Sequence, residues 1–348
     1  MVPKDFDPNG VGIKGTLFGL PVEENGAAVV VLPVPWEVTV SYGEGTSKGP
    51  NAVLEASAQL DLADPDFQEA WRPGYVLKTL DQGIQTKSDL LRKKAASYIQ
   101  SLEEGNAPNA QEPIVKEANE AGLRLKESVK SETLNLLKAG KIPALLGGDH
   151  SCPLGLIEAI GEHYDDFGIL QIDAHADLRP AYEGFQFSHA SIMWNALEIP
   201  TLSNLTQVSI RDLCQQELEV IHQNPNRIHT FFDASLNEAM YDGKTWNQCI
   251  AQIIELLPQH VYLSFDIDGL DPKLCPNTGT PVPGGLEFGQ AVSLIKSLVK
   301  SGRTIVGFDL CEVSPRETEW DANVGARILY KLCCWAAASQ KKLKLTDA

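Results

Sequence analysis

From Ala27 onward the chain alternates between two rhythms of hydrophobic and polar positions. Short apolar runs, such as Ala27-Ala28-Val29-Val30-Val31-Leu32, recur at 143–146, 168–172, 207–210, 227–230, 260–265 and 304–309. They are too short for core helices and too uniformly apolar for half-solvated strands, so they read as strands buried on both faces. Between them lie longer segments in which charged residues interrupt apolar ones at helical spacing. These predict helices over 86–104, 113–139, 153–163, 190–197, 214–222, 244–257, 287–301 and 321–338, with Asn106-Ala107-Pro108-Asn109 as a turn. Pro50 near the start of 49–57 suits a helix N-terminus. Strand–helix alternation of this kind predicts an α/β protein, with a parallel sheet covered by helices on both faces. No low-complexity linker or internal repeat divides the chain, so residues 1–348 are expected to form one domain. Residues 1–25 are read as an unassigned N-terminal arm. Residues 60–115, with Pro65, Trp71, Pro73 and Tyr75, are read as a surface elaboration facing a neighbouring subunit.

Three of the apolar runs end in residues that carry chemistry. Gly147-Gly148-Asp149-His150-Ser151, Asp173-Ala174-His175-Ala176-Asp177 and Ser264-Phe265-Asp266-Ile267-Asp268 each sit at the carboxyl end of a predicted strand. In an open parallel sheet such ends converge on one crevice. His150, Asp173, His175, Asp177, Asp266 and Asp268 would then form an oxygen-rich set with two imidazoles. Six such ligands exceed the four of a closed zinc site and suit two manganese or similar ions, with nickel compatible with the same set. A carboxylate-bridged pair of ions about 3.5–4 Å apart can hold water as hydroxide at neutral pH. Asp149 is expected to orient His150 through its other ring nitrogen, or to bond backbone amides.

Composition narrows the partners. Asp and Glu number 46 against 29 Lys and Arg, a net charge of −17 that argues against nucleic acid and anionic membranes and favours small cations. The start lacks the pattern of a secretory signal, and no apolar run approaches the ~20 residues of a membrane span. Cys275, Cys311, Cys333 and Cys334 fall in or beside apolar stretches, as reduced core thiols do. A cytoplasmic location is expected.

The strand-end motifs, written GGDHS, DAHAD and SFDIDGLDP, closely resemble those of the ureohydrolases (arginase, agmatinase and relatives). The resemblance extends through Ser41–Pro50, Thr278–Leu286 and GFDLCEVSP at Gly307–Pro315, and covers roughly residues 27–338. It implies a three-layer α/β/α fold with a mostly parallel sheet of about eight strands, and a homo-oligomer, trimeric or hexameric. It implies that Asp173 and Asp266 bridge two ions, with His150 and Asp177 completing one site and His175 and Asp268 the other. A bridging hydroxide, oriented by Asp177, would attack the guanidino carbon. Glu312, just beyond the last strand, is expected to clamp the guanidinium, and His189 in Phe187-Ser188-His189-Ala190-Ser191 to shuttle the proton to the departing amine.

Within the family, the loop Leu178-Arg179-Pro180-Ala181-Tyr182-Glu183-Gly184 departs from arginases and looks like agmatinases. It makes Tyr182 and Glu183 candidate substrate contacts and agmatine, giving putrescine and urea, the first-choice substrate. Trp36 and Trp320 depart from the agmatinase pattern. Each is expected either to be a packing residue or to narrow the pocket, which would favour a guanidino acid or free guanidine; arginine and formiminoglutamate complete the alternatives. A single-zinc deacetylase shares the fold but not the GGDHS histidine with both Asp266 and Asp268, and a non-catalytic homologue would be expected to have lost ligands.

Overall fold

The computed structural model describes residues 1–316 and 318–346. Eight strands form one sheet: β1 (Val29–Val34), β2 (Tyr75–Leu77), β3 (Ile142–Gly147), β4 (Phe167–Ile172), β5 (Leu202–Ile210), β6 (Ile228–Phe232), β7 (His260–Asp266) and β8 (Thr304–Cys311). Their order is β2-β1-β3-β8-β7-β4-β5-β6, and every pairing is parallel. The chain leaves β3, jumps across two positions to β4, and only later fills the gap with β7 and β8. The four central strands β3, β8, β7 and β4 are therefore brought side by side from distant parts of the sequence.

Alternating side chains divide the core between the two faces. Val29 and Val31 of β1, with Val261, Leu263 and Phe265 of β7, pack into one layer with α1 (Gly49–Ser57), α8 (Trp246–Glu255), α9 (Phe288–Lys300) and α10 (Trp320–Ser339). Val30 and Leu32 of β1, with Tyr262 of β7, face the other layer. That layer is built by α2 (Gln82–Glu103), α3 (Pro113–Lys138), α4 (Leu154–His163), α5 (Ile192–Ala196) and α6 (Gln215–Gln223). A remaining helix, α7 (Asp233–Tyr241), follows β6 without an intervening turn. That continuity explains why sequence pattern did not isolate it. The three-layer α/β/α arrangement is as expected, and the four cysteines read as core thiols are all buried.

One segment differs from its reading as periphery, and the unassigned N-terminal arm finds a place in the core. Tyr75–Leu77 pairs with β1 as the sheet's edge strand, and Phe67, Ala70 and Tyr75 are buried in the core. Phe67 lies 4.5 Å, centroid to centroid, from the fully buried Trp335. In the N-terminal arm, Leu17, Phe18 and Leu20 are buried, with Phe18 edge-on to Tyr75 at 5.9 Å and to Tyr330 at 4.9 Å. Three strand residues among prolines and aromatics give no usable alternation, so only the pairing partner reveals them. If this segment is core, Tyr75→Ala should lower unfolding stability in urea by about 3–5 kcal/mol. A loss under about 1 kcal/mol, typical of a surface change, would return the segment to the periphery.

Candidate metal centre

The carboxyl ends of the four central strands deliver the chemistry-bearing residues. After β3 the chain turns through Gly147 and Gly148. Gly148 N–H donates to Val34 O at 2.8 Å and Asp149 N–H to Trp36 O at 2.8 Å. A Cβ on Gly148 would lie 2.1 Å from Trp36 O, so only glycine permits this approach. His150 emerges from the turn, and its N–H donates to Glu312 Oε1 at 3.0 Å, while Glu312 N–H donates to Gly148 O at 2.8 Å. The ends of β3 and β8 are thus laced together. On β4, Asp173 Oδ1 accepts from His175 N–H at 2.6 Å, and Ala174 N–H donates to Asp268 Oδ1 at 3.0 Å, tying β4 to β7. Asp266 Oδ1 caps its own turn by accepting from Asp268 N–H at 2.9 Å.

These links gather the six predicted ligands into one buried cluster. His150 Nδ1 lies 3.0 Å from Asp173 Oδ2, 3.0 Å from Asp177 Oδ2 and 3.5 Å from Asp266 Oδ2. His175 Nδ1 lies 3.1 Å from Asp268 Oδ2 and 3.6 Å from Asp173 Oδ1. Two groups therefore form, His150–Asp173–Asp266 and Asp173–His175–Asp268, with donor atoms in each within 4.8 Å of one another. Asp173 belongs to both, one oxygen towards each histidine. All are buried except His175, whose side chain is 24% exposed on the open side.

Charge balance explains what such a cluster needs. Burial and then the neighbouring carboxylate of Asp173 push Asp177 up to about 7. Burial, Asp268 and Asp173 push Asp266 well above the ordinary carboxylate range, and burial with Asp149 and Asp268 does the same to Glu312. Burial opposes protonation of His150, yet Asp173 and Asp177 outweigh it and raise this imidazole well above its ordinary value; Asp268 and Asp173 do likewise for His175. Among the described residues the ion-pair partners of these carboxylates are imidazoles alone, not lysine or arginine. Protons hold this site together only by default. The donor set, its shared carboxylate and its missing positive charge all fit two divalent ions.

A second layer of residues fixes the ligands, and sequence reading did not assign it. Ser264 Oγ lies 2.9 Å from His150 Nε2 and donates to Asp309 Oδ2 at 2.9 Å; Tyr262 Oη donates to the same oxygen at 2.6 Å. Ser264 thus holds the ring nitrogen that Asp149 was a candidate for. Asp149 instead accepts from the Ser151 backbone N–H at 3.0 Å and from the Ser151 hydroxyl, the second of its two expected roles. Gln171 Nε2 donates to Asp173 Oδ2 at 2.8 Å, while Gln207 Nε2 donates to Gln171 Oε1 at 2.7 Å. Arg211 donates to the carbonyls of Asp268, Leu270 and Val282, clamping the loop that carries Asp268. A polar Gln inside the otherwise apolar FGILQI strand was the available signal.

Beside the cluster opens a cavity of about 150 Å³ lined by Ser41, His175, Asp177, Arg179, Tyr182, His189, Ala190, Asp212, Leu213, Glu217 and Thr280. Burial and the positive charge of His175 and His150 lower His189 to about 3, leaving it a neutral imidazole at neutral pH. Its ring sits edge-on to Tyr182 at 5.9 Å. Glu312 is buried beside His150 with φ +63°, and a Cβ on Gly279 would lie 3.2 Å from its Oε2. Asp177 and Glu183 also have positive φ, +55° each, backbone strain of the sort that functional sites retain. Neither tryptophan lines the cavity. Trp36 is buried in the helix-covered core, and Trp320 is 47% exposed, its Nε1–H donating to Lys273 O at 3.0 Å. The expectation that they narrow the pocket is corrected: each has a structural place elsewhere.

Residues 27–334 match the sequence profile of the family described as Arginase family. An N(1)-aminopropylagmatine ureohydrolase from Synechocystis sp. is 32% identical over 323 residues, 91% of this chain and 92% of that protein. An agmatinase from Halalkalibacterium halodurans is 28% identical over 298 residues, 84% of this chain and 85% of its own. The agmatine ureohydrolase of Thermoplasma volcanium shares the fold with a TM-score of 0.69 over 97% of each chain at 21% identity.

Two outcomes follow from this geometry. Ser264→Ala or Asp309→Asn should weaken manganese binding by about 10- to 100-fold in a calorimetric titration, because the His150 ring loses its orienting partner. Unchanged affinity would make those contacts incidental. The second outcome concerns pH. Asp177, Asp266 and Glu312 bind protons more tightly folded than unfolded, as do His150 and His175. Stability of the metal-free protein due to these groups is therefore present at low pH and lost as pH rises, for the carboxylates from about 4 upwards. Added manganese displaces those protons, so its increase in Tm should be larger at about pH 8 than at about pH 6. An increment that shrinks with rising pH would contradict the assignment.

Proposed function

We propose that this chain, which belongs to the arginase family, hydrolyses an aminoalkylguanidine, agmatine or its N1-aminopropyl derivative, to the corresponding amine and urea. The chain is a hydrolase of linear amidine C–N bonds, of the ureohydrolase type. The observation that carries the reading is the shared Asp173 between two ligand groups beside a cavity bordered by a neutral His189. The names of the more similar relatives support an amine-tailed substrate, with 32% identity to the aminopropylagmatine enzyme against 28% to the agmatinase. A net charge of −17 suits a cationic substrate. No helix of the described residues is long and apolar enough to cross a membrane.

A guanidinium is planar, cationic and resonance-stabilised, so its carbon resists attack. Two divalent ions held by His150, Asp173, His175, Asp177, Asp266 and Asp268, manganese or nickel, would activate water and offset developing charge. The protein does the rest. Glu312, with Oε1 already accepting from His150 N–H, would offer its other oxygen, Oε2, to the guanidinium N–H groups. Asp177, whose carboxylate lines the cavity beside the cluster, can take up the proton released when water adds to the guanidino carbon. His189, which lines the same cavity, would relay that proton to the alkyl-substituted nitrogen. The bond from that nitrogen to the guanidino carbon then breaks, so that one water and one guanidinium give one alkylammonium and one urea.

Urea release by manganese-loaded and nickel-loaded protein should be selective for agmatine or N1-aminopropylagmatine over arginine, guanidinobutyrate, free guanidine and formiminoglutamate. Selective turnover of an acidic or tail-less substrate would refute the amine-tail assignment. His189→Ala should lower kcat by about 10²- to 10⁴-fold, with metal content unchanged. A variant retaining most of its kcat across the pH range would refute the proton-transfer role.

A further inference from the structure

Resting on that guanidino-hydrolase reading, we infer that Glu183 is the specificity-determining carboxylate that receives the distal ammonium of the substrate's tail. Tyr182 and Phe185 exchange both backbone hydrogen bonds, at 3.1 and 2.8 Å, and so close a two-residue turn whose tip is Glu183-Gly184. Both tip residues have positive φ, +55° and +90°. Turns of this geometry favour Asn, Asp or Gly at the first position, where a long side chain gains nothing for the backbone. Local folding therefore does not explain a glutamate there.

The side chain's surroundings do not explain it either. Glu183 Oε2 is buried and has no hydrogen-bond partner among the described residues. Two arginines lie near enough to act on its charge, yet both are engaged elsewhere. Arg92 donates to Glu44 Oε1 at 3.0 Å and to Val40 O, and Arg179 sits with Nε 3.6 Å from Glu217 Oε2 and its guanidinium 4.6 Å over the Tyr182 ring. Burial, and then Glu103, raise Glu183 to about 7. A buried acceptor without a donor is a standing cost that an incoming ammonium would remove.

The turn is held firmly enough to serve as a gauge of tail length. Asn119 grips it from α3, donating to Gly184 O at 3.3 Å and accepting from Gln186 N–H at 2.8 Å, while Tyr98 packs edge-on against Phe185 at 5.8 Å. Tyr182, the residue before Glu183, lines the cavity that also holds His175, Asp177 and His189, as does Arg179 stacked on its ring, and Glu183 lies one residue beyond that lining. A substrate whose guanidinium sits at the metal centre and whose alkyl chain follows Tyr182 would bring a terminal ammonium towards Glu183. The class selected is then a guanidine with an aminoalkyl tail, rather than one with a carboxylate or a plain alkyl tail.

The test compares agmatine with n-butylguanidine, which lacks the amine, on manganese-loaded wild type, Glu183→Gln and Glu183→Asn. Asparagine suits the turn better than glutamate, so its effect cannot come from a turn that fails to form. Both variants should lose on the order of 10- to 100-fold in kcat/KM on agmatine, mostly through KM, the loss of one charge-assisted hydrogen bond. On n-butylguanidine they should stay within about twofold of wild type. Equal losses on both substrates, or none on agmatine, would overturn the role of Glu183 while leaving the hydrolase intact. Wild-type protein that releases urea from neither would instead overturn the underlying reading.

Discussion

Four aspartates and two histidines meet in the interior, and among the described residues none of those carboxylates pairs with a lysine or arginine; the rest of the architecture follows from that crowding. Carboxylates this close cannot all ionise in a buried site without added positive charge. In the apo protein protons supply it, which is why Asp177, Asp266 and Glu312 are all raised. Divalent ions would supply it better, being more highly charged and suited to the imidazole and carboxylate donors present. The strand order is what makes the crowding achievable. By inserting β7 and β8 between β3 and β4, the chain brings the carboxyl ends of four central strands together.

Holding such a site requires supports that cost space and polarity elsewhere. Gly148 lets the His150 turn press against the Trp36 carbonyl, and Gly269 allows the Asp268 turn to approach the backbone of Asp173, where a Cβ would lie 2.6 Å from the amide nitrogen. Gln171, Gln207, Ser264 and Asp309 place polar groups inside the sheet, each satisfied by a named partner. Fully paired, such networks fix orientation; half-paired, they would destabilise the core. Arg211 spends its guanidinium on backbone carbonyls rather than on substrate, which keeps the Asp268 loop in register with β5.

The ligand set was legible in the sequence because metal chemistry needs particular side chains at strand ends, and those ends carry apolar runs that period alone reveals. The six candidate ligands converge, five of them in the two groups and Asp177 beside His150, and the alternation of strands and helices gave the α/β class. Strand order was not legible, since it depends on which buried faces fit one another across long connections. β2 was missed because three residues among Pro73, Trp71 and Tyr75 hold no alternation, and α7 because Asp233 continues directly from Phe232. The places of Trp36 and Trp320 were open between packing and pocket for a different reason. Both flank motif residues in sequence, but backbone direction sends one into the core and the other towards solvent. Ser264 and Asp309 lay within motifs already noticed, and only the fold shows that they meet at the ring of His150.

The central claim is that one carboxylate, Asp173, joins two metal ions. Electron paramagnetic resonance on protein loaded stepwise with manganese tests it most directly. Two ions bridged by Asp173 should give a spin-coupled spectrum once the second equivalent binds, and the signal of isolated ions should fall. A signal that simply doubles with the second equivalent would mean independent ions, and would contradict the shared centre from which this account of the chemistry is built.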